Sequence, residues 1–250
     1  MTNNAKTSTN QATNSLLPPN NLSRVELITA TLRDEILRGQ YRTGERLPSE
    51  RDLAAKFETN RGAIREALKK LEQLGIASIN PGGVRVVPIE EASLSILGPL
   101  IDLDDKPDAI LIGHMLDVVG ALISMLARTA IDRASDREIE EMLTIVQRMI
   151  GIETTTLTNQ QNWQALGSYF AQINNNLVLR LILNGLKAQF LQRQAKTDAA
   201  DIKLDQQKNL AILKKLESSL QQRDSVAAAT VIIDHFLMVK KAVQSALKAP

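Results

Sequence analysis

Three basic side chains in this 250-residue chain have a type and spacing that suit binding to a polyanion. Arg61, Arg65 and Lys69 recur at intervals of four residues, which places them within about 80° of one another on a helix. An apolar stripe borders them, formed by Ile64, Ala67, Leu68 and Leu71. A helix with one side in a core and a basic strip beside it can lie in the major groove of DNA. A solvated basic face is the alternative, and the spacing alone leaves both interpretations open.

The residues before this helix predict a helix-turn-helix. Residues 48–70 read as two short helices joined by a tight turn at residues 56–59. Ser49 is placed to cap the first helix, with Asp52 three positions later as its capping-box partner. Asn60 is placed to cap the second helix.

The residues after this helix predict a β-hairpin. Residues 76–79 read as a strand, residues 80–83 (Asn-Pro-Gly-Gly) as a tight turn, and residues 84–87 as a second strand. A hairpin directly after a helix-turn-helix is a wing, and Arg85 lies on it. This context favours DNA binding over a solvated face.

The segments PSERDLAAKF, NRGAIREALKKLEQLGI and the Gly-Gly hairpin resemble the winged helix-turn-helix of the GntR transcription regulators, over residues 22–88. The resemblance implies that the operator is contacted by Arg51, Asn60, Arg61, Gly62, Arg65 and Gly82. The neighbouring wing residues Gly83 and Arg85 complete the predicted DNA-binding set. Family members usually carry Ser or Thr where this chain has Asn60 and Gly62. Asn keeps the capping role, whereas Gly62 removes a side chain that could touch a phosphate or a base.

Composition limits the classes of protein that the chain can belong to. Hydrophobic residues make up 44% and aromatic residues 3%, so the core must be aliphatic, which suits helices. The formal net charge is +2, so any nucleic-acid binding must be local rather than that of a bulk polycation. The chain has no cysteine, which excludes disulfides and thiolate catalysis. No signal peptide and no run of about 18 apolar residues is evident, so we expect a cytoplasmic protein without a membrane span.

The fold class predicted from these patterns is mainly α with a small β wing. Residues 1–21 are polar and are predicted to be a disordered tail. Residues 22–88 form the winged helix-turn-helix, and residues 89–106 a linker with some structure of its own. Residues 107–250 show no alternating strand pattern and are predicted to form an antiparallel all-α effector bundle that also carries dimerisation.

Six helices are predicted in that bundle. Pro107 fits the first turn of the first helix, and residues 154–158 are predicted to be a threonine-rich loop. The last helix is apolar on most sides, which predicts that it is buried nearly all round. The six helices span residues 107–132, 135–150, 160–173, 177–196, 203–222 and 225–247.

The bundle also resembles a known group. LSILGPLIDLD, ARTAIDR and LILNGLK are similar to segments of the effector domain of the fatty-acid-metabolism regulators of the FadR type. The resemblance implies a homodimer that binds a short inverted repeat in double-stranded DNA and releases it when a long-chain fatty acyl-CoA enters the bundle. The candidate ligand-binding residues are Val119, Tyr169, Leu237 and Lys241. Val119 favours an apolar pocket, and Lys241 could meet a CoA phosphate, although a surface lysine needs no such explanation.

Many related effector domains hold a divalent metal with one Asp and three His. The first two ligand positions correspond here to Trp163 and Gly167, which cannot bind a metal. His235 matches the last position, and His114 lies elsewhere. We therefore predict no metal and no other cofactor. A regulator that senses a metal-bound or small carboxylate metabolite is the alternative. No catalytic triad, Walker or Rossmann motif is present, so an enzyme is not expected.

Overall fold

The computed structural model describes residues 23–104, 107–151, 156–194 and 204–248. The predicted tail, residues 1–21, lies outside the described residues. The described chain is mostly helical, with an N-terminal helix-turn-helix, a two-stranded antiparallel wing and a C-terminal helical bundle. This confirms the predicted fold class.

The N-terminal domain is built around one small aliphatic core. Side chains from all three of its helices enter that core, among them Leu32, Leu53 and Leu68, each no more than 2% exposed. The elements are α1 (Arg24–Leu37), α2 (Glu50–Lys56), α3 (Arg61–Gln73), β1 (Ala77–Asn80) and β2 (Gly83–Val86).

Side-chain caps set where the helices of this domain begin. The Asn60 side-chain oxygen accepts a hydrogen bond of 2.9 Å from the Ala63 backbone N–H, as predicted. The Ser49 hydroxyl accepts from the Asp52 backbone N–H at 3.3 Å and donates to the Asp52 carboxylate at 2.6 Å. These caps satisfy N–H groups that the helix itself leaves unpaired.

The wing is wider than the predicted hairpin. Strands β1 and β2 pair antiparallel, with Ala77 opposite Val86 and Asn80 opposite Gly83. Residues 44–47 bond along the other edge of β2, through Gly44 N–H to Val86 C=O and Leu47 N–H to Val84 C=O, both 2.9 Å. A segment that precedes the helix-turn-helix in sequence is therefore part of the wing.

The predicted linker is an ordered bridge that enters both cores. It contains 3₁₀ turns at Ile89–Glu91 and Leu94–Ile96 and helix α4 (Leu97–Ile101). Ile96, 4% exposed, packs in the core of the DNA-binding domain, whereas Ile101, 5% exposed, packs against side chains of the bundle. The Ser93 N–H also donates to the Leu74 carbonyl at the end of α3, at 3.0 Å. Lys106, the predicted end of the linker, lies outside the described residues.

The C-terminal bundle has its main core between α5, α6, α7, α9 and α10, where Leu126, Met142, Leu166, Leu216 and Ile232 are fully buried. Its helices are α5 (Ala109–Arg133), α6 (Asp136–Gly151), α7 (Thr156–Asn174), α8 (Leu177–Gln194), α9 (Gln206–Gln221) and α10 (Ser225–Lys248).

Three details of the predicted bundle are wrong. Pro107 lies before the first helix, because Asp108 is its cap and accepts from the Ile110 N–H at 2.7 Å. The threonine-rich loop does not extend to residue 158, since α7 begins at Thr156; the low helix propensity of threonine does not prevent a helix there. Helix α10 is not buried all round, because it packs against α5 and α9 and leaves Ile233 and Leu237 more than 40% exposed. The predicted boundaries at residues 154, 196 and 203 lie outside the described residues.

Helix α5 is long and apolar enough to cross a membrane by length and composition, with a mean hydropathy of 2.0. One such helix is weak evidence for a span, because core helices of soluble proteins pass the same test. Here α5 packs along α10 and α7, and it carries Asp117, which forms an ion pair of 2.6 Å with Lys240 of α10.

A close contact between α5 and α10 gives the first prediction. A Cβ added at Gly120 would lie 2.8 Å from the Phe236 Cβ. We expect Gly120→Ala to lower the free energy of unfolding by about 1–3 kcal/mol, because overpacking forces the helices apart. The matched control is Gly185→Ala in α8, where an added Cβ meets nothing within 4 Å. That change should raise the free energy by about 0.5–1 kcal/mol. Urea denaturation measures both, and equal effects would contradict the close packing.

Candidate functional site

The two faces of α3 are placed as the sequence predicts. Ile64, Leu68 and Leu71 are at most 2% exposed, whereas Arg61, Arg65 and Lys69 are exposed to solvent. Within the described part of the chain, the Arg61 guanidinium forms no hydrogen bond or ion pair. Its donors are therefore available for a base edge or a phosphate.

Arg65 is held by a carboxylate from the preceding helix. Its Nε lies 3.0 Å from Glu50 Oε1 and 2.8 Å from Oε2. The Arg65 side chain is 62% exposed and that of Glu50 37%, so the pair contributes under about 1 kcal/mol to stability. Both bonds use Nε, which leaves the terminal amino groups for DNA while the pair orients the guanidinium between α2 and α3.

Arg51 lies at the start of α2 and its side chain is 79% exposed. Its Nε is 3.6 Å from Asp52 Oδ1, a loose ion pair. The hydrogen bond from the Ser49 hydroxyl lowers the pKa of Asp52, which keeps that carboxylate ionised beside the helix N-terminus. Arg51 is thus an exposed, loosely paired cation next to the helix-turn-helix, which suits a phosphate better than a base edge.

Gly62 and Asn60 fit each other. A Cβ at Gly62 would lie 3.1 Å from the Asn60 side-chain oxygen, which is the atom that caps α3. A serine or threonine at residue 62 would therefore crowd an asparagine cap. Glycine at residue 62 leaves room for the asparagine cap, so the two departures from the usual family residues, Asn60 and Gly62, are compatible with each other.

The predicted DNA-binding residues of the wing differ in how accessible they are to DNA. A Cβ at Gly82 would meet nothing within 4 Å, so the tip of the wing is open to close approach by DNA. Gly83 has a φ of +112°, which favours glycine. Arg85 is engaged within the wing, because its Nη1 donates to the Gly44 carbonyl at 2.8 Å.

Arg46 is a residue of the wing that sequence reasoning missed. It pairs with Arg85 across the sheet edge, and a Cβ at Gly83 would lie 2.4 Å from its Nε. The guanidinium therefore lies over Gly83, beside the open wing tip. It forms no hydrogen bond or ion pair with any residue that the structure describes. Its charge is evident from the sequence, but only the pairing of distant segments places it at the tip.

Arg24 is a second missed residue, with a positioning role. Its Nη2 donates to the carbonyls of Phe57 and Glu58, the latter at 3.0 Å, and Glu58 has a φ of 48°. Helix α1 thereby fixes the turn that sets the angle between α2 and α3.

The structure brings two of the four candidate ligand-binding residues together. Leu237 and Lys241 line a groove of about 720 Å³ between α9 and α10. Ile212 and Met238 supply further apolar surface, and the groove also contains the lysines 208 and 215 and the aspartates 205 and 234. Lys208 is already paired with Asp205 at 3.1 Å.

Val119 and Tyr169 are not among the residues that line this groove. Tyr169 lies on α7 and donates a hydrogen bond from its hydroxyl to Glu141 on α6. Burial, followed by this bond, raises the pKa of Tyr169 to about 12. Val119 is half-buried on α5. The four residues do not form one site in this structure.

The positions compared with the metal site of related proteins contain an aromatic stack. The Trp163 and His235 rings lie 3.8 Å apart at 19°. His235 is 4% exposed, and burial lowers its pKa to about 3. Among the described residues neither His235 Nδ1 nor Trp163 Nε1 has a hydrogen-bond partner, and no group of three or more metal-binding side chains occurs. His114 is exposed on α5.

The family model for bacterial regulatory proteins of the gntR family matches residues 24–87. This range coincides with the domain formed by α1–α3 and the wing. The N-terminal domain belongs to the GntR family. The chain is accordingly a DNA-binding transcription regulator.

Relatives extend the similarity beyond this GntR domain. The HTH-type regulator Rv0494 of Mycobacterium tuberculosis is 27% identical over 227 residues, covering 86% of this chain and 87% of the relative. The Escherichia coli repressor NanR is 30% identical over 138 residues, covering 54% of this chain and 50% of NanR. A solved structure of the Listeria monocytogenes protein Lar has a TM-score of 0.50 at 16% identity, covering 89% and 97% of the two chains, and shows the fold alone. The names of these proteins state no fatty-acid effector.

The DNA-binding surface gives the second prediction, measured on an operator obtained by selection from random duplexes. Arg61→Ala and Arg65→Ala should each weaken binding by roughly 1–3 kcal/mol and relax sequence preference, as expected for base contacts. Arg46→Ala and Arg51→Ala should weaken binding to all sequences alike and flatten the salt dependence by about one unit each.

The control for these variants is Arg137→Ala, an exposed bundle arginine held by Glu141 at 3.1 Å, much as Arg65 is held by Glu50. It should leave operator affinity unchanged. Wild-type affinity for both Arg61→Ala and Arg65→Ala would show that α3 is not the helix that enters the groove.

The buried imidazole gives the third prediction. Because the folded-state pKa of His235 is about 3 and the unfolded value is 6.5, the unfolded chain binds this proton first as pH falls. Stability should therefore be fully present above pH 6.5 and decline toward pH 3, by up to about 1.4 kcal/mol per pH unit from this group. His235→Phe keeps an aromatic ring and removes the proton site. The urea midpoint of this variant should therefore fall less steeply than that of the wild type as pH is lowered. Parallel pH profiles for the two proteins would contradict the burial of a neutral imidazole.

Proposed function

We propose that the chain is a homodimeric, cytoplasmic regulator of fatty-acid metabolism genes that leaves its operator when a long-chain fatty acyl-CoA binds. The observation that carries the effector assignment is the groove between α9 and α10. Its apolar residues, Ile212, Leu237 and Met238, accompany lysines in a volume of about 720 Å³. That volume is in the range of sites for drug-sized ligands.

The charges in the groove suit an anionic amphiphile. Lys208 is neutralised by Asp205 at 3.1 Å, which leaves Lys215 and Lys241 against Asp234. An acyl chain can lie on the apolar residues while phosphate oxygens accept charge-assisted hydrogen bonds from these two ammonium groups. The resemblance of the segments at 181–187 and 94–104 to FadR-type effector domains supports the same class of ligand.

A different observation favours the second candidate, a small carboxylate. His235 Nδ1, Trp163 Nε1 and Asn209 Oδ1 are buried polar atoms without a hydrogen-bond partner among the described residues. Buried polar groups rarely lack a partner, so such atoms in a bundle are suited to a small polar ligand or to water. This candidate would act in the interior of the bundle, away from Lys241.

The bridge between the domains supplies a route from effector to DNA. Ile96 is packed in the DNA-binding core and Ile101 against the bundle, and Ser93 bonds to the end of α3. A change in bundle shape that moves α4 would shift both recognition helices of a dimer, whose separation must match the half-site spacing on DNA. By linkage, effector and operator must then weaken each other's binding by the same factor.

The fourth prediction tests the effector. Titration of the operator complex with acyl-CoA thioesters from octanoyl to stearoyl should release DNA at concentrations that fall with chain length. Each additional buried CH₂ contributes roughly 0.8 kcal/mol. Free CoA should have little effect. Fluorescence anisotropy of labelled operator measures the release.

Matched variants on α10 localise the effect. Leu237, 44% exposed, lines the groove, whereas Ile233, 43% exposed and one helical turn away, does not. Leu237→Asp should raise the acyl-CoA concentration needed for release at least about tenfold, and Ile233→Asp should not, since only the first places a charge against the chain. If no thioester shifts DNA affinity while a metal or a small carboxylate does, the second candidate replaces the acyl-CoA assignment.

A further inference from the structure

Helix α4 and the residue before it have two apolar sides, and each side packs in a different core. Residues four positions apart share one side of a helix. Ile96 and Leu100 pack in the core of the DNA-binding domain. Leu97 and Ile101 pack against side chains of the bundle. The two domains therefore meet on this short helix, and the position of α4 decides how the DNA-binding domain is oriented on the bundle.

The DNA-binding domain holds the beginning of the bridge through backbone contacts. The Ser93 N–H donates to the Leu74 carbonyl at the end of α3, at 3.0 Å. A Cβ added at Gly75 would lie 3.0 Å from the Ala92 Cα and 3.2 Å from the Ser93 nitrogen. The bridge therefore lies directly against the end of α3, with no room for a side chain between them.

Arg38 holds the other end of the bridge. It is the C-terminal cap of α1. Its Nη2 donates to the Leu103 carbonyl, and its Nη1 lies 3.3 Å from Asp104 Oδ1. Both acceptors follow the end of α4, where a cation is favoured. The planar guanidinium can hold two acceptors in one fixed geometry, which a lysine ammonium cannot do. We call these three residues the Arg38 clasp.

We propose that Arg38 is a positioning residue for operator binding, because it fixes the end of α4 to α1. With Ser93 bonded at one end of the bridge and Arg38 at the other, α4 moves with the DNA-binding domain as one body. The bundle sets the orientation of that body through Leu97 and Ile101. This inference rests on the homodimer of the proposed function, in which two such bodies must match the half-site spacing on DNA.

The Arg38 clasp orients the domains more than it stabilises them. The Arg38 side chain is 50% exposed and that of Asp104 75%, so solvent screens the ion pair and its contribution to folding stability is small. The hydrogen bond to the Leu103 carbonyl is charge-assisted and directional. Arg38→Ala should therefore fold as the wild type does, and its effect should appear in the relative position of the two domains.

The test compares the complete operator with a duplex that carries one half-site. In the full chain, Arg38→Ala should weaken binding to the complete operator by about tenfold, as expected for the loss of a hydrogen bond to a charged group. Binding to the single half-site should stay unchanged. The salt dependence should also stay unchanged, because the guanidinium is engaged with α4 rather than with a phosphate. Arg38→Lys keeps the charge but not both bonds, so its affinity should lie between those of Arg38→Ala and the wild type.

The matched control is Arg33→Ala. Arg33 also lies on α1, but it pairs with Asp34 of the same helix at 2.7 Å, so its loss leaves α4 in place. This variant should bind both duplexes as the wild type does. Circular dichroism checks that all the variants fold.

Hydrogen–deuterium exchange of the free protein measures the clasp without DNA. At the end of α4, the Asp102 N–H donates to the Gly98 carbonyl at 3.1 Å and the Leu103 N–H to the Leu100 carbonyl at 3.4 Å. These amides should exchange at least about tenfold faster in Arg38→Ala, because local opening no longer has to break the clasp. In Arg33→Ala they should exchange as in the wild type.

The possible outcomes separate this inference from the homodimer on which it rests. Wild-type affinity of Arg38→Ala for the complete operator overturns the positioning role, and unchanged exchange overturns the clasp. An equal loss on both duplexes, with a salt slope flatter by about one unit, assigns Arg38 to a DNA phosphate and also overturns the inference. A wild type that binds the complete operator no more tightly than the half-site overturns the homodimer on DNA and the positioning role with it, and faster exchange would then leave only the clasp.

Discussion

The burial of one side of α3 is the constraint on which the DNA-binding surface depends. Ile64, Leu68 and Leu71 are inserted between α1 and the other elements of the small core. Each fully buried aliphatic side chain contributes about 1.5–3 kcal/mol, whereas an exposed ion pair such as Arg65 with Glu50 contributes under about 1 kcal/mol. Apolar packing therefore sets the rotation of α3, and the basic strip follows from it. The ion pair only refines the direction of a side chain that packing has already turned outward.

The local features of this domain could be predicted because their causes are local. The Asn60 cap, the Ser49 cap and the stripe of α3 each involve residues within one or two helical turns. The wing tip and its glycines follow from turn chemistry in the same way. What the sequence did not show are contacts between distant segments. Arg46 against Gly83 and Arg24 against the helix-turn-helix turn join residues more than 30 positions apart, and no periodic pattern reports such pairs.

In the bundle, too, the sequence pattern does not show which distant segments are in contact. Its helices were predicted from periodicity, but α10 has apolar residues on most sides and still leaves Ile233 and Leu237 open. Composition cannot distinguish a helix buried by its own chain from one whose open side serves a ligand or a second protein. The prediction of the ligand-binding residues was affected most, because the packing of the helix faces decides which of these residues lie together. Leu237 and Lys241 share the groove with α9, while Tyr169 is bound to Glu141 on another side of α7.

The bridge between the domains limits how an effector could act. Ile96 and Ile101 are each at most 5% exposed and lie in different cores. Detaching both would cost roughly 3–6 kcal/mol of apolar burial, more than the 1–3 kcal/mol that typically couples two binding sites. The coupling free energy of an effector is therefore too small to detach the bridge from the two cores. We propose that the effector instead turns the DNA-binding domain with both anchors in place, and that α10, which lines the groove and whose Val243 packs with Ile101, transmits the movement. The Ser93 N–H bonds to the Leu74 carbonyl at the end of α3, so a turn of the bridge would act directly on that helix.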